Sequence, residues 1–174
     1  MFEELRFIQE RFLSRCSDDL IRLADRIANV FRQGGQLITF GTDTSSHLAR
    51  ILAHALTHRT AIERPPLPTI ALGLDTSVPA DMFARQMEAF GRKGDLALAF
   101  SWDGNSPDTL GALVRARESG LETAALLGRD GGKIKNYTEL ALVVDANNPA
   151  RVHEVHLAAA HMLAHLVERH LFPL

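Results

Sequence analysis

Asp95-Leu96-Ala97-Leu98-Ala99-Phe100-Ser101-Trp102-Asp103-Gly104-Asn105-Ser106-Pro107 is the stretch on which the fold turns. Its first six residues are almost all apolar and too few for a helix, which predicts a strand buried on both faces. The next seven are small, polar or turn-forming. A helix is expected to about Ser119, closed by Gly120.

The same strand-loop-helix unit recurs on either side. Upstream, Gln36-Leu37-Ile38-Thr39-Phe40-Gly41 is a short apolar run. It passes through Thr42-Asp43-Thr44-Ser45-Ser46 into a helix expected to reach about Thr60. Thr69–Leu72, Glu122–Leu127 and Leu140–Val144 are three further strands by the same criterion. A helix carries Met82, Phe83, Met87 and Phe90, and a last one runs from about Pro149 to Leu171. Residues near 3–33 are helical by the three- and four-residue spacing of Leu5, Ile8, Phe12, Leu20, Leu23, Ile27 and Val30. Ser17-Asp18-Asp19 offers a cap for a second helix inside that stretch, and Gly34-Gly35 ends it. Strands alternating with helices predict an α/β fold: a three-layer, Rossmann-like sandwich with a five-stranded parallel sheet flanked by helices. The whole chain, 1–174, reads as one domain, with an N-terminal helical region at 1–33 and an α/β core at 34–174.

Composition narrows the function. Of the 174 residues 46% are hydrophobic and the net charge is −2, with no basic stripe. Direct nucleic-acid binding is therefore not expected. No apolar run is long enough for a membrane span, and the acidic start, Glu3-Glu4, is unlike a secretion signal. The single cysteine, Cys16, reads as a packed helix residue, and a cytoplasmic location fits it. In parallel sheets ligands bind beyond the carboxyl ends of the strands. Two hydroxyl-rich loops, 41–46 and 101–107, both open helices whose N-termini offer free amides and the positive end of a dipole. That combination suits a phosphate, although helix capping alone accounts for the same residue types.

The two loops, with Glu63-Arg64-Pro65, Pro68–Leu72, Gly91–Asp95, Gly128–Lys133 and Arg151–His156, resemble the SIS (sugar isomerase) family in order and spacing. The likeness is greatest to the phosphoheptose isomerase (sedoheptulose 7-phosphate isomerase) group, including its member that associates with the replication initiator. The resemblance implies a homotetramer, a phosphosugar (carbohydrate derivative) ligand and a part in heptose biosynthesis. It assigns substrate contacts to Thr42, Asp43, Thr44, Ser45, Ser101, Trp102, Asp103, Asn105, Ser106 and His153. Ser45, Ser101, Asn105 and Ser106 are expected to line one cleft, with Thr42, Thr44 and Asp103 at its edge.

Other positions depart from the family. Its catalytic glutamate corresponds to Ala55 and a metal-ligand histidine to Ile51, while its glutamine ligand corresponds to His153 and its catalytic histidine to His161. Any isomerase chemistry would therefore rest on His161, with Glu154 as substitute base. His153 and His161, or the four-spaced pair His54 and His58, are the candidate metal ligands. No cofactor is required by the sequence, and zinc is the metal such histidines would take. Trp102 and Asp103 replace a threonine and a serine, and Asp103 is free to turn outward and leave the loop amides to a ligand. The connection between Leu72 and Met82 is shorter than in the isomerases. Two readings follow: a binding or regulatory oligomer that holds a phosphosugar or a protein partner, and an active phosphoheptose isomerase. Trp102 serves in either as a platform for a sugar or as a hydrophobic lid.

Overall fold

The computed structural model describes residues 2–58, 62–73 and 81–173. Helix α1 (Phe2–Arg32) leads into β1 (Leu37–Gly41), α2 (Thr44–Thr57) and β2 (Thr69–Ala71). Then come α3 (Met82–Phe90), β3 (Leu96–Ser101), α4 (Pro107–Glu118) and β4 (Glu122–Gly128). A 3-10 turn at Ile134–Tyr137, β5 (Leu140–Val144) and α5 (Pro149–Leu171) complete the chain. The five strands form one sheet in the order β2-β1-β3-β4-β5, and every pairing is parallel.

Alternation along each strand divides the core in two. Leu96, Leu98 and Phe100 of β3 face a layer made by α1, α2 and α5, where Leu20, Leu23, Ile27, Leu52 and Leu163 are buried. Ala97 and Ala99 face the opposite layer, where Phe83 and Met87 of α3 and Leu113 of α4 pack. On β3, therefore, the larger side chains face three helices and the alanines face two.

Helix α1 runs unbroken through Ser17-Asp18-Asp19, so no second helix starts there. Cys16 and Leu20 lie on the same buried stripe, and Leu23, Ala24 and Ile27 continue it. Burial of that stripe outweighs the local preference of serine and aspartate for a cap. Asp19 instead pairs with Arg22 at 3.2 Å on the outer surface. Helix α2 is described to Thr57, and residues 59–61 of its expected end lie outside the described residues. On α1 and α5 the side chains of Phe2, Phe7, Leu13, Ile21 and Met162 remain exposed.

The strand order reverses at β1. The chain steps from β1 outward to β2, then returns to place β3 on the other side of β1. Gly41 is in register with Phe100, so the two strands end level and the loops after them leave side by side. This is the position where a parallel sheet opens a crevice.

Candidate functional site

A cleft of about 460 Å³ lies between those two loops. Thr42 and Asp43 line it from the first loop. Ser101, Trp102, Asp103, Asn105 and Ser106 line it from the second, and Pro107 and Asp108 from the first turn of α4. Ser101, Asn105 and Ser106 thus share one cleft, as expected, and Thr42 and Asp103 join them. Ser45 does not reach it: its side chain is buried beneath the loop and its amide donates to the Thr42 carbonyl at 3.0 Å. Thr44, exposed at the start of α2, is also outside the lining. Asp108 was not among the expected residues, because an aspartate after Ser-Pro is what a helix N-terminus takes for its own sake.

The second loop is held by its own side chains. The Gly104 amide donates to Ser101 Oγ at 3.0 Å, and the Asn105 amide to Asp103 Oδ1 at 2.9 Å. Ser106 Oγ caps α4, accepting from the Thr109 amide at 3.3 Å and the Thr109 hydroxyl at 3.1 Å. Asn105 donates through Nδ2 to the Asp103 carbonyl and accepts the Lys133 amide through Oδ1. Asp103 therefore does not turn outward to leave the amides free. Its carboxylate takes one of them, because an ionised oxygen makes the stronger hydrogen bond. Gly104 has φ of 71°, and a Cβ there would stand 2.0 Å from the Gly131 carbonyl oxygen.

Trp102 is half-buried, packed against the core on the α5 side of the sheet, with the Arg129 guanidinium 5.9 Å from its ring centre. In the first loop Asp43 has φ 50° and ψ −128°, a conformation that favours glycine.

The candidate residues on the helices lie elsewhere. His161 and His165 are exposed on α5, and His54 and His58 are exposed at the end of α2. The rings of His54 and His58 stack with centroids 4.0 Å apart, face to face rather than converging on a common point. His153 is half-buried, and its Nε2 is buried without a hydrogen-bond partner. Burial lowers its pKa. One turn on, His156 is fully buried, edge-on to the Phe100 ring with centroids 6.1 Å apart. Neither of its ring nitrogens has a well-formed hydrogen bond. Burial pulls its pKa down to about 3, although the Leu127 carbonyl opposes part of that effect. Glu154 is half-buried and bonded by Arg151, which also reaches Glu4 at 3.4 Å. Cys16 is packed, with burial raising the thiol pKa.

The SIS domain family profile matches residues 2–128. The chain belongs to the SIS family. It is 42% identical over 173 residues to the phosphoheptose isomerase of Chlorobaculum parvum, which spans 92% of this chain and 83% of that protein. The phosphoheptose isomerase of Roseiflexus sp. is 34% identical, over 95% of this chain and 88% of its own. Among solved structures, a phosphoheptose isomerase from Francisella tularensis superposes with a TM-score of 0.91 at 25% identity, covering 97% of this chain and 94% of that one. The Neisseria gonorrhoeae enzyme gives 0.87 at 26% identity, with 96% and 94% covered.

Of the positions that the resemblance assigns to the family's catalytic and metal groups, two, Ile51 and Ala55, carry apolar side chains and two, His153 and His161, carry histidine. Ala55 is half-buried against the core, and its carbonyl accepts from Arg64 Nη2 at 3.0 Å. Arg64, itself buried, also bonds the Leu56 carbonyl and pairs with buried Glu168 of α5 at 2.8 Å, fastening the end of α2 to α5. Ile51 and Ala55 have no ligating atom on their side chains. His153 and His161 are eight residues apart, about 12 Å along a helix. Among the described residues no three His, Cys, Asp or Glu side chains gather as a metal-holding group. Of the four positions, then, only His153 and His161 carry a side chain able to ligate a metal. Much of the connection expected to be short, residues 74–80, lies outside the described residues. Among the described residues, no helix is long and apolar enough to cross a membrane.

Proposed function

We propose that this SIS protein binds a phosphosugar without isomerising it, as a cytoplasmic binding or regulatory oligomer. Ala55 is the observation that carries this reading. Moving a proton between adjacent carbons needs a group that accepts it and returns it, and a methyl side chain does neither. Glu154 is a poor substitute because Arg151 already holds its carboxylate. His161 is exposed on α5 of the single chain, and one histidine alone serves one half of the proton transfer, not both. The cleft between the two loops is where the sugar phosphate would sit.

Helices α2 and α5 start at the cleft end of the sheet. Position 55 is therefore about 16 Å, and position 161 about 18 Å, along its helix from that end. Both are remote from the cleft of their own chain, so a site combining cleft and helices draws on more than one copy. The exposed apolar side chains of α1 and α5 supply a face for that association, and we propose a homotetramer.

The alternative is an active phosphoheptose isomerase, favoured by the 42% identity to a protein of that name. Incubation with sedoheptulose 7-phosphate, followed by NMR for isomer exchange with and without zinc, separates the two. No turnover, together with thermal stabilisation by the sugar phosphate, is expected. Turnover at a rate ordinary for an isomerase, abolished by His161→Ala, would overturn the binding-only reading.

A further inference from the structure

The cleft is shaped for an anion and charged against one. Its lining carries three carboxylates, Asp43, Asp103 and Asp108, and its described lining includes no lysine or arginine. Asp103 differs from the other two. Its Oδ1 accepts the Asn105 amide at 2.9 Å and lies 3.5 Å from the Ser101 hydroxyl. Backbone amides and hydroxyls of a strand-to-helix loop are the groups that hold a phosphate, and here an internal carboxylate already occupies one of them, the Asn105 amide, and stands beside a second, the Ser101 hydroxyl. The loop is tied further by Asn105 to the Lys133 amide and by the Gly104 carbonyl, which accepts the Ile134 amide at 2.9 Å. The carboxylate is thus part of a formed structure.

We propose that Asp103 is the specificity-determining residue of the cleft, a resident anion that a ligand's phosphate must displace. The inference rests on the phosphosugar reading and fixes its terms: a phosphate enters this cleft only by displacing the Asp103 carboxylate, and an uncharged sugar does not meet that cost. Two contributions add. The phosphate meets a like charge at close range, and it loses the Asn105 amide unless the Asp103 side chain rotates away. Asp103→Asn removes the charge and keeps an oxygen on the Asn105 amide. Asp103→Ser removes the charge and leaves the amide open.

The test is calorimetric titration of the wild-type, Asp103→Asn and Asp103→Ser proteins with sedoheptulose 7-phosphate, inorganic phosphate and uncharged sedoheptulose. Circular dichroism and sedimentation confirm that each variant is folded and assembled like the wild type. Asp103→Asn is expected to tighten both phosphate ligands by about tenfold, and Asp103→Ser by up to about a hundredfold, with sedoheptulose within about twofold throughout. Equal or weaker phosphate binding in both variants would overturn the role of Asp103 while leaving the phosphosugar reading in place. Tightening of the uncharged sugar to the same degree would also overturn it, since the effect would not be one of charge. If no folded protein, wild type or variant, binds either phosphate, the phosphosugar reading itself falls, and the inference with it.

Discussion

The two loops that face each other across the cleft leave neighbouring strands at the same level, yet they are held in opposite ways. The second loop, 101–107, is locked from several sides. Ser101, Asp103 and Ser106 each satisfy an amide of the loop or of the helix it opens, and Gly104 presses its backbone against Gly131 and Gly132. The first loop, 41–46, hangs on fewer ties. The Thr42 and Asp43 carbonyls receive the Ser45 and Ser46 amides at 3.0 Å, and Ser46 Oγ returns to the Asp43 carbonyl at 2.6 Å. Asp43 makes no side-chain cap to α2 and stands in a backbone conformation suited to glycine. In both loops the backbone path of a strand-to-helix turn survives while an aspartate occupies a key position. Path and chemistry are therefore separable: the path is fixed by the strands, the glycines and the helices behind them, and the charge lining it is not.

The largest effect should come from breaking the locked loop. A methyl on Gly104 would meet the Gly131 carbonyl oxygen at 2.0 Å and its carbon at 2.4 Å, both backbone atoms that cannot swing aside. The residue also sits at φ 71°, where a side chain adds strain of its own. Overpacking and strain together predict a loss of about 2–5 kcal/mol for Gly104→Ala. Urea denaturation would measure it. A loss below about 1 kcal/mol would mean that the second loop yields as easily as the first, and the contrast between them would fail.

Pressing on the same loop from beneath gives the next largest effect. His156 packs edge-on against Phe100, the penultimate residue of β3, and its ring is neutral in the folded chain, with a pKa of about 3 against 6.5 in the open. Above pH 6.5 both folded and unfolded states hold it neutral. Below that, only the unfolded chain takes up the proton, so stability falls as pH falls. The slope is about 1.4 kcal/mol per pH unit, or about 2 kcal/mol between pH 6.5 and 5. His153, lowered in the same direction, adds to it. Stability measured across this range should decline, and His156→Leu should flatten the decline. An unchanged slope in His156→Leu would place the proton uptake elsewhere.

His156 also marks where sequence reading stops. The strands, the parallel sheet and the meeting of the two loops were legible, because apolar runs of fixed length and glycine-proline punctuation depend on local chemistry. Strand ends fell within a residue of expectation at all five strands, and at β5 both ends coincide. Whether a polar residue on an amphipathic helix faces in or out is decided by tertiary packing. His156 occupies the apolar stripe of α5 with Val152, Val155, Ala159 and Ala160, and its spacing was the available signal. The rotamer of Asp103 was not legible at all, since both an outward turn and an amide-bound turn satisfy the same sequence. Arg64 is a third case. Nothing in its loop sequence marks it for burial, yet its side chain is buried because the carbonyls closing α2 and the carboxylate of Glu168 meet there. Ser17-Asp18-Asp19 erred the other way, its local capping preference overridden by the burial of Leu20 and Leu23.

The smallest effect, and the one of opposite sign, belongs to the first loop. If Asp43 is held in a glycine-like conformation only because the strand and helix on either side fix it, then Asp43→Gly should relieve that strain. Backbone strain of this type costs on the order of 1–3 kcal/mol. Glycine gives back part of the gain by loosening the unfolded chain, roughly 0.5–1 kcal/mol. The hydrogen bonds of the loop run through the Asp43 carbonyl and not its side chain, so the substitution leaves them intact. The aspartate also stands near Asp103 and Asp108 in the cleft lining, and removing it eases the crowding of like charge. The net expectation is a stabilisation of about 1 kcal/mol, a rise in melting temperature of a few degrees for a chain of this size. Placed beside the large loss at Gly104, a gain at Asp43 would show that one loop is at its conformational optimum and the other is not. A loss at Asp43 would mean that its carboxylate carries a stabilising contact, and the two loops would then be held by the same device.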